Sequence, residues 1–281
     1  MSCIITATNS EGLSNAQSNA TGSISAASSG GGARAAANSV VSGAVIDLSA
    51  RNSNSFDPAV DTQTWANLGS GPDFWLGDDG TSEANEDPNF IGTAGDSAAD
   101  FRLGNPQGKH FEAKNSNSLL NNLHRSDSTT PFTFITYINP RSAFRTIFAT
   151  TQHSGGSGGV IFWTTGNTLR LRIYNETGGT VLSWNMNTTF PLTQNSLLAF
   201  TYDPVTTNYT FKVNDEVLET GTQSWTNTAV IDELPAIMSD TNGSHGWDST
   251  DTQIHDVIFY DKALTETEIN DLFTMLSTSK T

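Results

Sequence analysis

From Ala44 to Tyr260 the chain is broken into short apolar runs separated by Gly, Pro, Asn, Asp and Ser: AVIDLSA, TWANLG, ADFRLG, KHFEAKN, PFTFITYINP, RTIFATT, GVIFWTT, TLRLRIYNET, TVLSWN, SLLAFTYDP, NYTFKVNDEVLE, LPAIMSD and the closing IHDVIFY. Strands at this spacing, with turn residues between them, point to an all-β sandwich or barrel. More than ten of them imply two stacked sheets. In TLRLRIY, Leu169, Leu171 and Ile173 alternate with Arg170, Arg172 and Tyr174, the pattern of a strand with one wet face. NYTFKVNDEVLETG reads as a hairpin turned at Asn214 and Asp215. With 36% hydrophobic and 15% charged residues, the chain can bury a core while Ser, Thr, Asn and Gly supply most of its polar surface.

The last strand differs from the others. In the first half of IHDVIFYDKALTETEIND, large side chains fall on both faces and only Asp256 and Asp261 are charged, as expected for a strand covered on both sides. After the turn at Asp261–Ala263, Thr265 and Glu268 make a capping box, with Leu264 and Ile269 at the positions of a hydrophobic staple. Leu272, Phe273 and Leu276 continue the apolar stripe, so a short helix should close the chain over one end of a sheet.

The formal charge of -16 and pI near 4.4 argue against nucleic acid as a partner, because phosphate binding needs clustered Lys and Arg and the chain has only 13. Residues 44–100 hold eleven acids against Arg51, and the run GDDGTSEANEDPN is the densest. Cys3 is the lone cysteine, so no internal disulfide forms. The start has no basic region followed by an apolar stretch, and no segment approaches the ~20 apolar residues of a membrane span. Synthesis in a cytoplasm without Sec-type export, and no membrane partner, is the expectation.

Residues 1–43 are small and polar, with Gly30, Gly31 and Gly32 in a row, and cannot build a core of their own. Ordering them costs ~1 to 2 kcal/mol per residue. Partners are therefore expected to hold this extended arm through Cys3, Ile4, Ile5, Leu13, Ile24, Val40 and Val41. Ile4, Ile5 and Thr6 could add a strand to a neighbour's sheet edge.

KHFEAKNSNSLL, PFTFITYINP, SLLAFTYDP, NYTFKVNDEVLE and finally IHDVIFYDKALTETEINDL follow an order that resembles the laminin G-like, concanavalin A-like jelly roll. The resemblance covers about residues 44–276, and its most specific part is the closing strand, turn and capped helix. It implies a two-sheet jelly-roll sandwich with a short C-terminal helix, here preceded by the extended arm. The acidic insertion at residues 77–89 and the arm are departures.

That fold hosts lectins, carbohydrate-binding modules, glycan hydrolases and lyases, and structural domains, so residues must decide. A retaining hydrolase needs two carboxylates ~5 Å apart on one strand face, and the family's Glu-x-Asp-x-x-Glu pattern is absent. The related lyases carry Gln-Ile-His, which occurs at Gln253, Ile254 and His255 without the accompanying Arg and Tyr strands. His255 is read as a core or groove histidine. Trp163 and Trp184 fall in strands and read as core, whereas Trp247 lies in a Gly/Ser loop, so Trp247, His245, Asp248 and Asn242 are the candidate glycan contacts. No cofactor is required; calcium is the ion whose oxygen-rich chemistry Asp240, Asn242, Asp248 and Asp251 would suit. The acidic insertion offers Asp78, Asp79, Glu83, Glu86 and Asp87 as a second set.

Taken together, these features point to a non-enzymatic component of a phage-like virion, a capsid decoration, head fibre or tail-associated protein. Copies of itself, in a trimer, and another capsid or tail subunit are the expected arm partners, with a host-surface glycan as ligand. A bacterial carbohydrate-binding module is the alternative, and a polysaccharide lyase the third reading.

Overall fold

A computed structural model of the chain describes residues 8–9, 12–13, 34–82, 87–103, 109–140, 144–151, 158–165, 167–175, 177–189, 191, 193–230, 233–239 and 252–278. In chain order its elements begin with β1 (Thr8–Asn9), β2 (Gly12–Leu13), a 3-10 turn (Ala37–Ser39), β3 (Ala44–Ser49), β4 (Thr64–Trp65), β5 (Phe74–Leu76) and β6 (Asn89–Ile91). Next come β7 (Asp100–Leu103), β8 (Phe111–Ala113), α1 (Ser118–Asn121), β9 (Phe132–Asn139), β10 (Phe144–Ala149) and β11 (Gly159–Thr165). The chain continues through β12 (Thr168–Tyr174), β13 (Thr180–Thr189), β14 (Ser196–Asp203), β15 (Asn208–Val213), β16 (Glu216–Thr222), β17 (Ala236–Ile237), β18 (Thr252–Tyr260) and α2 (Glu266–Thr278).

These strands make two antiparallel sheets. Sheet one runs β16-β15-β14-β9-β18-β7-β6, with β3 also paired to β18; sheet two runs β13-β12-β11-β10-β17-β8-β5-β4; β1 and β2 form a separate ribbon. Every run read from the sequence contains a strand, and Asn214 turns the β15–β16 hairpin at φ +57. Strands β5 and β6 add to that reading. Each is three residues long and flanks the acidic insertion, too short for an alternation to show. Among the described residues no helix is long and apolar enough to cross a membrane.

Inward side chains of the two sheets interdigitate. Phe134 of sheet one stacks on Phe162 of sheet two at 5.5 Å, and Trp65 meets Phe101 at 4.8 Å. The outward face of sheet one is buried as well. Ile135, Tyr137, Leu197, Ala199, Ile258 and Tyr260 pack under Leu264, Ile269, Leu272 and Leu276 of the helix end of the chain and under Ala37 and Val41. This is why β18 carries large side chains on both faces.

The helix forms as its sequence signature requires. Thr265 N donates to Glu268 at 2.8 Å, Glu268 N donates back to Thr265 Oγ1 at 3.3 Å, and the staple residues Leu264 and Ile269 share the buried cluster. Glu268's carboxyl is held below the usual range, first by the Thr265 amide and then by Lys262.

The second half of the seal is a charge cluster. Arg34 reaches Asp47 at 2.5 Å and Asp256 at 2.9 Å, Arg51 pairs with Asp256, and all four side chains are fully buried. Arg51 also donates to Leu276 O at 2.7 Å, and Ala37 N to Asp47 at 2.7 Å. Burial opposes ionisation of Asp256, but the Arg51 and Arg34 guanidiniums outweigh it and hold its carboxyl below the ordinary range.

For residues 34–41, ordering contacts therefore come from the sandwich itself rather than from a neighbour. Val41 is buried there, while Val40 is 41% exposed. Leu13 lies in β2 opposite Thr8. Cys3, Ile4, Ile5 and Ile24 lie outside the described residues.

Two substitutions test this layer in urea unfolding. Arg34→Met leaves Asp47 buried without its cation and should cost about 3 to 5 kcal/mol; an unchanged midpoint contradicts the cluster's role. Thr265→Ala should cost about 1 kcal/mol through the lost cap.

Candidate functional site

Among the described residues, neither helix contributes to the outward face of sheet two, whose separate buried cluster of Ala149, Ile161, Trp163 and Tyr174 comes from strands. Because Phe74, Leu76, Phe111, Phe162, Leu169, Leu171 and Ile173 point into the core, their alternating neighbours point out. The register lines these up in rows. One row runs Trp75, Glu112, Ala236, Ala149, Ile161, Arg172 and Ser183; beside it Trp163, Arg170 and Asn185 form another. Ala149, Ile161, Trp163 and Tyr174 make a small apolar floor, separate from the main core.

One end of this face is acidic. Trp75 is closed off: Lys114 Nζ sits 3.5 Å over its ring, and a Cβ on Gly80 would come within 2.6 Å of the indole. Glu112 beside it is nearly buried, and burial, with Asp78 and Glu233 nearby, pushes its carboxyl up to about 7.

The other end is cationic. Arg172 lies 4.3 Å over the Trp163 ring and donates to Tyr174 Oη at 3.0 Å. Arg170 stands opposite Trp163 on one side and Asn185 on the other. Stacked and forked guanidiniums of this kind suit planar, two-oxygen acceptors. In the sequence Arg170 and Arg172 read only as the wet side of a strand. Trp163 is buried as expected, but on the outward floor rather than between the sheets.

The other sequence candidates fall elsewhere. Trp247, His245, Asp248, Asn242, Asp240 and Asp251 all lie outside the described residues, as do Glu83 and Glu86. Asp78 and Asp79 are exposed, and Asp87 accepts from Gln63 Nε2 at 3.1 Å. Among the described residues no group of three or more His, Cys, Asp or Glu is placed to hold a metal. His255 is a core histidine on the sealed side of sheet one. Its ring is 4% exposed and 5.4 Å from Tyr137, Nδ1 is 3.0 Å from Ala99 O, and burial lowers its pKa. Trp225 stacks on Tyr202 at 4.8 Å, and Trp184 meets Tyr209 at 4.1 Å and Phe200 at 5.9 Å. None of the described tryptophans is an open stacking platform.

A family model described as the concanavalin A-like lectin/glucanases superfamily, of the Laminin G type, matches residues 111–270. No curated protein matches the chain in sequence. Among solved structures, the botulinum neurotoxin serotype D binding domain is similar at TM-score 0.54 and 14% identity, over 85% of this chain and 52% of that one. The serotype G binding domain follows at 0.52 and 15%, over 84% and 51%. A serotype D ligand-binding domain in complex with N-acetylneuraminic acid gives 0.54 and 11%, over 85% and 52%. At these identities the likeness shows the fold alone, and the chain spans about half the length of those domains.

Glu112 gives this face a pH signature. A carboxyl held up at about 7 stabilises the fold in its protonated form, fully below about pH 4.5, and that contribution is lost as pH rises through about 7. Glu112→Gln should match the native protein in acid and unfold at higher urea than it does in mild alkali. Parallel stability curves would contradict the burial of this carboxyl.

Proposed function

Because the chain belongs to the concanavalin A-like lectin/glucanases superfamily, we propose that it is a lectin-like, non-catalytic display domain that binds a glycan on the outward face of sheet two. One observation carries this reading: the sandwich is two-faced. Sheet one is sealed by α2 and by residues 34–41, while sheet two presents arginine, serine, asparagine and aromatic side chains without a helix over them. A lyase mechanism through Gln253–His255 finds no support, since His255 is enclosed under the sealed side.

The setting proposed for this domain is a phage-like particle made in the host cytoplasm, with the jelly roll serving as capsid decoration, head fibre or tail-associated protein. Residues 1–33 would tether it to copies of itself and to another capsid or tail subunit. The arm's composition supports a tether, because a segment so poor in large apolar residues gains order from partners rather than from its own core. Since residue 34 is fixed on the sealed side, the tether leaves from that side and sheet two is left to face outward.

Full-length chain and a chain lacking residues 1–32 separate the two halves of the proposal. Both should bind the same glycans on an array with equal Kd, only the full chain should join particles, and neither should release sugars from laminarin, alginate or agar. Decoration by the shortened chain would place attachment on the jelly roll; a folded protein that binds no glycan would end the lectin reading.

A further inference from the structure

The chain's charge is unevenly distributed along it. Residues 128–202 hold Arg141, Arg145, Arg170 and Arg172 against Glu176 alone, a formal +3, so the rest of the chain carries -19 of the total of -16. Strands β10, β11, β12 and β13 contain no Asp or Glu at all.

Among arginines whose side chains are described, Arg34, Arg51, Arg102 and Arg125 are each ion-paired. Arg170 and Arg172 have no carboxylate partner among the described residues, and the Nε of each is buried without a hydrogen bond. In a chain with 29 acids for 13 bases, two adjacent unpaired arginines run against the average composition. A half-buried cation without an anion bears a desolvation cost that an anionic ligand would relieve.

We propose that Arg170 and Arg172, with Ser183 and Asn185 beside them on β13, form a binding site for an acidic saccharide bearing carboxylate or sulfate groups. The inference rests on the lectin-like reading and names its ligand class. Arg172 is oriented by its stack on Trp163 and its bond to Tyr174, so little side-chain freedom is lost on binding. Residues two apart on a strand project about 7 Å apart on one face. Two arginines side by side on one face can meet two acid groups of one polymer, where an isolated anion engages only one. Ser183 and Asn185, both exposed, supply donors and acceptors for sugar hydroxyls. With no open tryptophan platform on this face among the described residues, recognition runs through charge and hydrogen bonds rather than ring stacking. Nucleic acid shares the anionic chemistry and meets the same long-range repulsion from the net charge of -16; a saccharide is favoured because Arg172 covers the Trp163 ring on which a base would stack, while Ser183 and Asn185 stand exposed for hydroxyl groups.

The test is calorimetric titration of the full chain at low salt with oligogalacturonate, a heparin oligosaccharide, a cello-oligosaccharide and single-stranded DNA. At least one acidic oligosaccharide should bind, more weakly as salt rises, and the stronger of the two identifies carboxylate or sulfate as the preferred group. Arg170→Gln with Arg172→Gln should weaken that binding at least ~10-fold with thermal unfolding unchanged, and the Lys pair should restore part of it. Acidic binding untouched by the double substitution overturns the site. DNA bound as tightly as the sugars overturns the ligand class. Binding of the neutral sugar alone overturns this inference and leaves the lectin reading standing, whereas binding of no saccharide overturns both.

Discussion

The fold depends on two arginines and two aspartates buried where water does not reach them. Each ion taken from water costs several kcal/mol, and the group is tolerable only because the cluster is neutral and each charge meets its opposite. Asp256 is the common partner. It sits in β18, an interior strand of sheet one, and joins Arg34, at the entry of the N-terminal segment, to Arg51, which in turn holds the last turn of α2 through Leu276 O. Contacts across 205 and 225 residues of chain thereby converge at the Arg51 guanidinium. An apolar cluster could seal this face equally well. The charges also specify which segment seals it, because only a chain bringing Arg34 to Asp47 and Asp256 leaves no buried charge alone.

The two-sidedness of the molecule follows from that choice. Once α2 and residues 34–41 occupy the outward side of sheet one, sheet two is the face that no described helix covers. The electrostatics are divided in the same way. On the sealed side Arg34 and Arg51 each pair with a carboxylate, while Arg170 and Arg172 on β12 have no carboxylate partner among the described residues. At the far end of the same sheet Glu112 is pressed toward its neutral form by burial and by neighbouring acids. The face thus has a cationic end and an end where negative charge is suppressed, which favours an anionic ligand at the first.

Much of the fold was legible in the sequence because the signals were local. The Thr265–Glu268 box, the Leu264–Ile269 staple and the Asn214 turn each lie within a few residues, and the structure realises all three. The alternation in TLRLRIY sorted Leu169, Leu171 and Ile173 from Arg170 and Arg172 correctly. The charge cluster was not legible: Asp47 and Asp256 stand visibly inside apolar strands, but nothing local says that Arg34 and Arg51 reach them. The arm's inner end was misjudged for the same reason, since the residues that bury Val41 come from β9, β14, β18 and α2. The arginine site was half visible, as two wet side chains. Their lack of partners is a property of four neighbouring strands together, and it emerges only when these are aligned.

The most direct measurement follows the arginine Nε–Hε signals in a proton–nitrogen correlation spectrum while an acidic oligosaccharide is added to the full chain. The account predicts that the Arg170 and Arg172 signals shift with saturation, while those of Arg34 and Arg51, locked in the buried cluster, stay in place. Shifts at Arg34 or Arg51, with Arg170 and Arg172 unmoved, would contradict it.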